Sequence, residues 1–346
     1  MATGWAGGDH ATEGTSYANA KMWCWPRGLG NWAGTGISGP AGGGRVVYGL
    51  IAALGWGVSA VAATNAARRA GTYLAVLCGQ LLGVLVLLLL AALFQPSFAA
   101  AGGAVALSLA GAGLLGLVGY LTFYRALEYG GAVGLVSAIS ATYGGVTTVL
   151  AVALLGERLG AVGALGVVLA VAGVAMAAAR PAAGAEAIAV GEPIVGVAPA
   201  PSRIRNLSRA GVPLAIACAL AYGFGGFVLG KYSARAGWLV AALIAHGASV
   251  TVLLAALPLL GRRKAWRGSA SGVMWAAAAG LTDAVGLLAF SRGGQVGQLA
   301  VTAAVSSVYP VIPLVAGTLL FGEHLTPRQL AGVAGIIAGL VLIGLG

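Results

Sequence analysis

The stretch Ser140-Ala-Thr-Tyr-Gly144, followed by Leu154-Leu-Gly-Glu-Arg-Leu159, decides the fold because the chain contains it twice. The second copy, at an offset of 166 residues, reads Ser306-Ser-Val-Tyr-Pro310 and then Leu320-Phe-Gly-Glu-His-Leu325. Between residues 140 and 173, 11 of 34 positions are identical to their partners, whereas a chain so rich in Ala, Gly, Leu and Val gives about four by composition alone. The sequence therefore contains a true internal repeat.

The same offset holds earlier in each copy without a gap. Ala53-Leu-Gly-Trp-Gly57 aligns with Ala219-Leu-Ala-Tyr-Gly223, which pairs Trp56 with Tyr222. We therefore expect four parts in the chain. They are a poorly ordered N-terminal tail (1–45), a first repeat unit (46–180), an exposed proline-rich linker (181–211) and a second repeat unit (212–346).

The composition of the chain is that of a membrane protein. Hydrophobic residues make up 59% and charged residues 8%, with a mean hydropathy of +0.95, whereas about a quarter of an ordinary soluble protein is charged. The net charge of +11 comes from basic residues at the ends of apolar runs, which favours the membrane surface over nucleic acid as a partner. The three cysteines have no metal-ligand spacing, so neither a disulfide framework nor a metal site is expected.

Ten apolar segments are long enough to cross about 30 Å of hydrocarbon at about 1.5 Å per residue. Charged residues, Gly or Pro separate them, as at Arg68-Arg69 and Gln95-Pro96. We therefore expect an all-α integral membrane fold. Its predicted spans are 46–66, 72–94, 103–124, 132–155, 160–179, 212–231, 238–260, 270–290, 296–321 and 327–345.

Each repeat unit then contains five spans, and this odd number makes the second copy enter the membrane in the opposite direction from the first. Many secondary transporters use such inverted repeats to place a substrate site at the midplane of the bilayer. A channel or an intramembrane enzyme can also be duplicated, but neither requires inversion. The sequence shows no nucleophile motif, metal triad or phosphate loop, so we expect neither an enzyme nor a cofactor.

Four segments resemble the EamA-type unit of the drug/metabolite transporter superfamily. They are Tyr124-Arg-Ala-Leu-Glu-Tyr129 and residues 154–159 in the first copy, and Phe321-Gly-Glu-His-Leu325 and the Gly-spaced helix 327–342 in the second. The resemblance implies an exporter or permease in the plasma membrane for small metabolites, such as amino acids or related amphipathic compounds. It does not fix the substrate, because members of this superfamily transport amino acids, nucleotide sugars, organic cations and other solutes.

The membrane orientation has two alternatives. The resemblance implies that both termini are cytoplasmic. The basic residues indicate the reverse, since seven of the 19 lie on the side of the amino terminus and twelve on the opposite side, and cytoplasmic loops normally carry the excess. Charge alone therefore predicts that both termini are outside.

Few ionisable side chains lie within the spans, where they are costly unless they serve a function or pair with a partner. Asp283, in the eighth span, is the only carboxylate well inside any span and is the first candidate for proton coupling. The alternative is a hydroxyl-paired carboxyl group that only holds helices together. His246 in the seventh span, aligned with Gln80, is the second candidate, with a structural helix contact as its alternative. Lys231 either contacts substrate or extends its stem to the membrane interface.

Hydroxyl groups and rings share one face of the fourth span, where Ser140 and Tyr143 occupy positions i and i+3. Ser306 and Tyr309 hold the same positions in the ninth span. The aromatic residues paired by the repeat in the first and sixth spans add further walls. We therefore predict that the substrate contacts Trp56, Ser140, Tyr143, Tyr222, Ser306 and Tyr309, with ordinary helix packing as the alternative for this group.

Two prolines interrupt the backbone hydrogen bonds of the ninth span. Pro310 has no amide hydrogen for the carbonyl of Ser306, and Pro313 has none for the carbonyl of Tyr309. Free carbonyls are tolerated in a bilayer only where they face protein or a watered cavity. We therefore expect both carbonyls to be free and to face such a cavity.

These observations predict a cavity between the first, third, fourth, sixth, eighth and ninth spans that opens alternately to the two sides of the membrane. The glycines of the fifth and tenth spans are assigned to close helix contact. A small-molecule substrate and the lipid bilayer are the expected partners, and a homodimer is compatible with this architecture. The alternative function is a non-transporting membrane scaffold or a lipid-interacting protein.

Overall fold

The computed structural model describes residues 43–129, 132–156, 160–178, 208–260, 269–296, 299–322 and 325–345. Within these ranges the chain forms helices and no strand. In chain order they are α1 (Gly43–Ala70), α2 (Thr72–Phe94), α3 (Gly103–Glu128), α4 (Val133–Ser140), α5 (Tyr143–Leu155), α6 (Ala161–Ala178), α7 (Ser208–Ala236), α8 (Trp238–Leu260), α9 (Ala270–Val296), α10 (Leu299–Ser306), α11 (Val311–Leu320) and α12 (Pro327–Leu345). The predicted tail up to residue 42 and the predicted linker up to residue 207 lie outside the described residues.

The repeat appears in the structure as two successive sets of six helices, because α1 to α6 correspond in order to α7 to α12. Two turns recur together with their glycines. Gly71 (φ +77°) and Gly237 (φ +86°) join the first two helices of each set, while Gly156 (φ +70°) and Gly322 (φ +62°) follow α5 and α11. Glycine adopts this left-handed conformation without a Cβ clash, so both copies carry the residue that the turn requires.

The fourth and ninth predicted spans are each broken into two helices, which the sequence analysis did not predict. The breaks lie at residues 141–142 and 307–310. At the second break the amide of Tyr309 donates to the carbonyl of Ser306, and the amide of Ile312 donates to the carbonyl of Tyr309, each at 3.2 Å. These bonds to the third preceding residue replace those that the two prolines cannot make. The prediction of two free carbonyls is therefore wrong.

The two breaks contact each other between the halves. A Cβ on Gly144, in the first turn of α5, would lie 1.8 Å from the hydroxyl oxygen of Ser307 and 2.8 Å from the carbonyl oxygen of Ala303 at the end of α10. A Cβ on the neighbouring Gly145 would meet nothing within 4 Å. Glycine at position 144 is therefore what allows α5 to approach α10.

Helices of one half pack against helices of the other in matched pairs. α1 lies along α9, its counterpart α7 lies along α3, and α6 and α12 lie along each other. Glycines bring these helices together, since a Cβ on Gly55 would lie 2.7 Å from the carbonyl oxygen of Thr282 and one on Gly166 would lie 2.5 Å from that of Gly339. The second contact confirms that glycines of the fifth and tenth spans serve close helix packing.

Contacts at one end of the bundle show the direction in which the helices run. Glu128, in the last turn of α3, accepts hydrogen bonds from the backbone N–H (3.1 Å) and the hydroxyl (2.5 Å) of Thr72 at the start of α2. At the same end, Arg69 in the last turn of α1 donates to Ser271 in the first turn of α9 at 3.1 Å. α3 therefore ends where its repeat counterpart α9 begins.

Helix α9, which corresponds to the eighth predicted span, extends further than predicted, to Val296 instead of residue 290. Ser291-Arg-Gly-Gly-Gln295 reads as a loop in sequence, yet it continues the helix. A Cβ on Gly294 would lie 2.9 Å from the Cα of Gly230 in α7. The glycines of this stretch thus serve a helix contact rather than a turn.

The outer surface of the bundle is apolar. Leu107, Met274 and Leu319 are 75%, 71% and 66% exposed, whereas Ser137 and Thr148 are fully buried. In water such a surface would be an aggregation site, and in a bilayer it meets lipid.

Eight helical segments of the described residues are long and apolar enough to cross a membrane, when α4–α5 and α10–α11 are each counted as one. The other two helices, α6 and α12, contain shorter apolar stretches at Ala161–Gly173 and Pro327–Ile343. The protein is therefore an integral, multi-pass membrane protein.

Candidate functional site

A cavity of about 120 Å³ lies between the two halves of the bundle. Its walls come from α1, α3, α5, α7, α8 and α9 and from the turn that precedes α11. All six spans that were predicted to form a cavity contribute to it. The seventh span, which contains α8, contributes as well.

Aromatic rings form a continuous wall of this cavity. Consecutive ring centroids lie 5.5, 5.8, 6.4, 5.4 and 6.3 Å apart along the series Phe290, Trp56, Tyr143, Tyr222, Tyr120 and His246. Tilted and edge contacts of this kind each contribute about 0.5–1.5 kcal/mol beyond burial. Trp56 and Tyr222, which the repeat pairs, both line the cavity, as do Tyr143 and Tyr309. Their contact with substrate remains a prediction.

Asp283 is the only carboxylate among the described residues that line the cavity. Its side chain is buried in α9, and the hydroxyl of Tyr120 in α3 donates a 2.7 Å hydrogen bond to its Oδ2. Nε2 of His246 in α8 lies 3.8 Å from the same oxygen, which is beyond hydrogen-bonding distance. The two residues predicted for proton coupling are therefore neighbours, although whether they carry protons remains a prediction.

Tyr120, the hydrogen-bond donor to Asp283, was not predicted from the sequence. The repeat gives no signal for it, because its counterpart in the second half is Gly286. Helical spacing is the signal that could have found it. Gly113, Gly116 and Tyr120 follow one another at i, i+3 and i+7, and all three line the cavity.

Gln80 and His246, which the repeat aligns, converge on this tyrosine and carboxylate. Gln80 lies beside the hydroxyl of Tyr120, and a Cβ on Gly83 would lie 2.7 Å from Nε2 of His246. Glycine at position 83 therefore makes room for the imidazole. Within the described residues this nitrogen has no hydrogen-bond partner. We refer to Asp283, Tyr120, His246 and Gln80 as the Asp283 cluster.

Ser140 and Ser306 do not line the cavity, and Ser306 lies behind one of its tyrosines. The hydroxyls of Tyr143 and Ser306 share a 2.7 Å hydrogen bond, and the hydroxyl of Tyr309 donates to the carbonyl of Ser137 at 3.1 Å. Each tyrosine thus reaches the broken span of the opposite half. The hydroxyl of Ser140 is buried and makes no hydrogen bond within the part of the chain that the structure describes.

Lys231 lies outside the cavity, exposed near the end of α7. Its Nζ lies 6.0 Å from the ring centroid of Phe227 and 5.6 Å from that of Tyr232. Of its two predicted roles, the structure favours the extended stem near the membrane interface over contact with a substrate in the cavity.

Comparison with known proteins identifies the family. The sequence profile of the EamA-like transporter family matches residues 45–179 and 209–345, which correspond to the two sets of helices. One protein of known crystal structure is similar in fold, with a TM-score of 0.62 and a sequence identity of 16%. The similarity covers 87% of this chain and 97% of the chain of that protein. A search of curated proteins found no match. Because the matched profile covers most of the sequence, the chain belongs to the EamA-like transporter family.

Proposed function

We propose that the protein is a secondary transporter that crosses the plasma membrane ten times, as two inverted repeats of five spans. α6 and α12 contain 18 and 19 residues, or about 27–29 Å at 1.5 Å per residue, which approaches the thickness of the hydrocarbon core. The opposite directions of α3 and α9 support the inversion. The observation that carries the function is the Asp283 cluster, because it lies in a cavity between the halves.

Alternating access requires a binding site between two bodies that move against each other. Helices of both halves line the cavity, and glycines lie at contacts between those helices, as at Gly55 against α9 and Gly113 against α8. Small residues at an interface allow helices to slide without the separation of interlocked side chains. Movement of one half against the other would expose the cavity to each side of the membrane in turn.

The chemistry of the cavity favours a small amphipathic metabolite with an amino group, such as an amino acid or a related compound. A carboxylate at Asp283 pairs with an ammonium group, and the faces of the surrounding rings attract cations. The apolar remainder of the wall suits the hydrocarbon part of such a substrate. The volume of about 120 Å³ is close to the roughly 150 Å³ of an engineered cavity that accepts benzene.

The Asp283 cluster also supplies a group that can bind and release a proton within the membrane. One carboxylate holds either a proton or the ammonium group of the substrate, so the two compete for the same site. This competition exchanges protons for substrate during each transport cycle. His246, 3.8 Å from Asp283, is a second group able to accept the proton.

Solute flux across proteoliposomes tests this proposal. Purified protein is reconstituted, a pH gradient is imposed, and labelled amino acids and amines are screened for uptake and efflux, with protein-free liposomes as the control. We expect at least one amphipathic amine to accumulate and to leak out again when a protonophore dissipates the gradient. A broad screen without any substrate-dependent flux would contradict transport and would favour the alternative, a non-transporting scaffold or lipid-interacting protein.

A further inference from the structure

A groove on the outer face of the bundle, distinct from the cavity, runs between α3 and α7. It has a volume of about 610 Å³. Ser108, Gly111, Leu115 and Val118 of α3 and Phe227 and Lys231 of α7 are among its lining residues. Val118 is 49% exposed, so the groove opens outward to the lipid that surrounds the bundle.

The groove has the length of one leaflet of a bilayer. Ser108 and Val118 are ten residues apart on one helix, which is about 15 Å at 1.5 Å per residue. In a hydrocarbon core about 30 Å thick, the midplane lies about 15 Å below the membrane boundary, which equals this length. Gly111 adds width, because a Cβ at this position would meet nothing within 4 Å. An acyl chain in the groove would therefore extend from the membrane boundary to the midplane along apolar walls.

Positive charge lies at one end of this groove. Lys231 is exposed, and Arg235, one turn further along α7, is exposed on the same side of the helix. α7 ends at Ala236, so both basic groups lie at the level where lipid headgroups begin. Neither forms an ion pair with a carboxylate of the described residues. A phosphate group at this level thus meets two cations that no acidic side chain of the described residues neutralises.

We infer that this groove binds an anionic phospholipid, with the phosphate at Lys231 and Arg235 and one acyl chain between α3 and α7. The inference does not depend on the proposed transport function. Ala112 lines both the groove and the cavity, so the bound chain lies against the helix that carries Tyr120.

Photocrosslinking in nanodiscs tests the site. The probes are phosphatidylglycerol and phosphatidylcholine that carry the same diazirine on one acyl chain, diluted into unlabelled phosphatidylcholine around the full-length protein. Labelled peptides are mapped by mass spectrometry. We expect labelling of residues 108–118 or 227–232 that is several-fold stronger with phosphatidylglycerol. Equal labelling by the two probes, or none in these segments, would overturn the inference.

Two pairs of variants distinguish the contribution of the positive charge to lipid binding from that of the shape of the groove. Lys231→Gln should reduce labelling by phosphatidylglycerol several-fold, whereas Arg292→Gln should not, because Arg292 lies at the same end but donates to Gln295 at 2.6 Å. Gly111→Phe should fill the groove and reduce labelling by both probes. Gly247→Phe is its control, since a Cβ at position 247 also meets nothing within 4 Å. If Lys231→Gln labels like the unmodified protein, or if each control loses as much labelling as its partner, the site is wrong.

Discussion

At the scale of single residues, the proposed mechanism depends on the carboxyl group of Asp283. Asp283→Asn keeps an oxygen that can accept the hydrogen bond from Tyr120 but removes the charge that binds either a proton or the ammonium group of the substrate. We expect the variant to lose accumulation of substrate against a gradient and to retain part of the downhill exchange. Uptake into proteoliposomes, with and without a pH gradient, measures both. If the variant still concentrates substrate, Asp283 is structural, and His246→Gln becomes the next variant to test.

Tyr120 allows a finer test of the same site. Its 2.7 Å hydrogen bond to Asp283 involves a group that can be charged, and such bonds contribute about 1.5–3 kcal/mol. Loss of that energy in the transport cycle corresponds to a change in rate of about ten- to hundredfold. We expect Tyr120→Phe to slow proton-driven uptake by this factor while the protein remains folded. Tyr124→Phe is the matched control, because Tyr124 also lines the cavity. Similar rates in both variants would show that the hydrogen bond has no part in transport.

Asp283 and His246 could be predicted from the sequence because ionisable groups are rare within apolar spans. Tyr120 was not predicted, because its contact with Asp283 joins helices from different halves, 163 residues apart. Helical spacing could have placed Tyr120 on the cavity face of its helix, but no local pattern encodes a contact with the other half. The serines show the same limit. Ser140 and Tyr143 were placed on one face of a continuous helix, but the helix is broken at residues 141–142, and neither Ser140 nor Ser306 lines the cavity.

At the scale of helices, the contact between the two broken spans has a sharp steric test. A methyl group at position 144 collides with α10, whereas one at position 145 meets open space. We expect Gly144→Ala to destabilise the protein by about 1–3 kcal/mol through overpacking. Gly145→Ala should be neutral or stabilising by up to about 1 kcal/mol, because alanine favours helix. Thermal unfolding in detergent compares the two, and equal midpoints would mean that α5 and α10 do not approach this closely.

The helices themselves were predictable to different degrees. Apolar runs bounded by charge or Gly located the spans, because a helix in lipid must satisfy its own backbone. The break at residues 141–142 contains no proline, so nothing in its composition indicated it. Near the break at residues 307–310, Pro310 and Pro313 were noticed, but their effect on the backbone hydrogen bonds was predicted wrongly. The backbone tightened into shorter-range hydrogen bonds instead of leaving carbonyls free.

At the scale of the whole molecule, inversion predicts opposite locations for equivalent loops. Glu157 and Glu323, in the two Gly-Glu loops, lie outside the described residues but are suitable labelling positions. In a chain without its native cysteines, we expect Glu157→Cys and Glu323→Cys to react with an impermeant maleimide from opposite sides of the membrane. The side on which each one reacts also decides between the two orientations. Labelling of both from the same side would refute the inverted arrangement.

The all-helical fold and its two matching sets of helices followed from the sequence, because the internal repeat gives each half the same order of helices. The packing of the halves did not follow, since it depends on which glycines face which helix. Gly166 and Gly339 illustrate this point: each was assigned to helix contact, but only the structure shows that they contact each other.

The buried hydroxyl of Ser140 has a role if, in the conformation that opens to the other side of the membrane, each half adopts the arrangement that the other half has now. Under that exchange Tyr309 meets Ser140 as Tyr143 now meets Ser306. In the present structure Ser140 lies beside the thiol of Cys218 and makes no hydrogen bond of ordinary geometry. In the exchanged conformation its hydroxyl would form the hydrogen bond with Tyr309.

Ser140→Ala should accordingly favour the present conformation, and Ser306→Ala should favour the exchanged one. Each should shift the equilibrium constant between the two conformations by about two- to tenfold, which corresponds to the loss of one hydrogen bond of about 0.5–1.5 kcal/mol. Distance distributions between spin labels on the two halves would record the shifts, and shifts in the same direction would contradict the exchange. The hydrogen bonds of Ser140 and Ser306 would in that case help to determine the populations of the two conformations that open to opposite sides of the membrane.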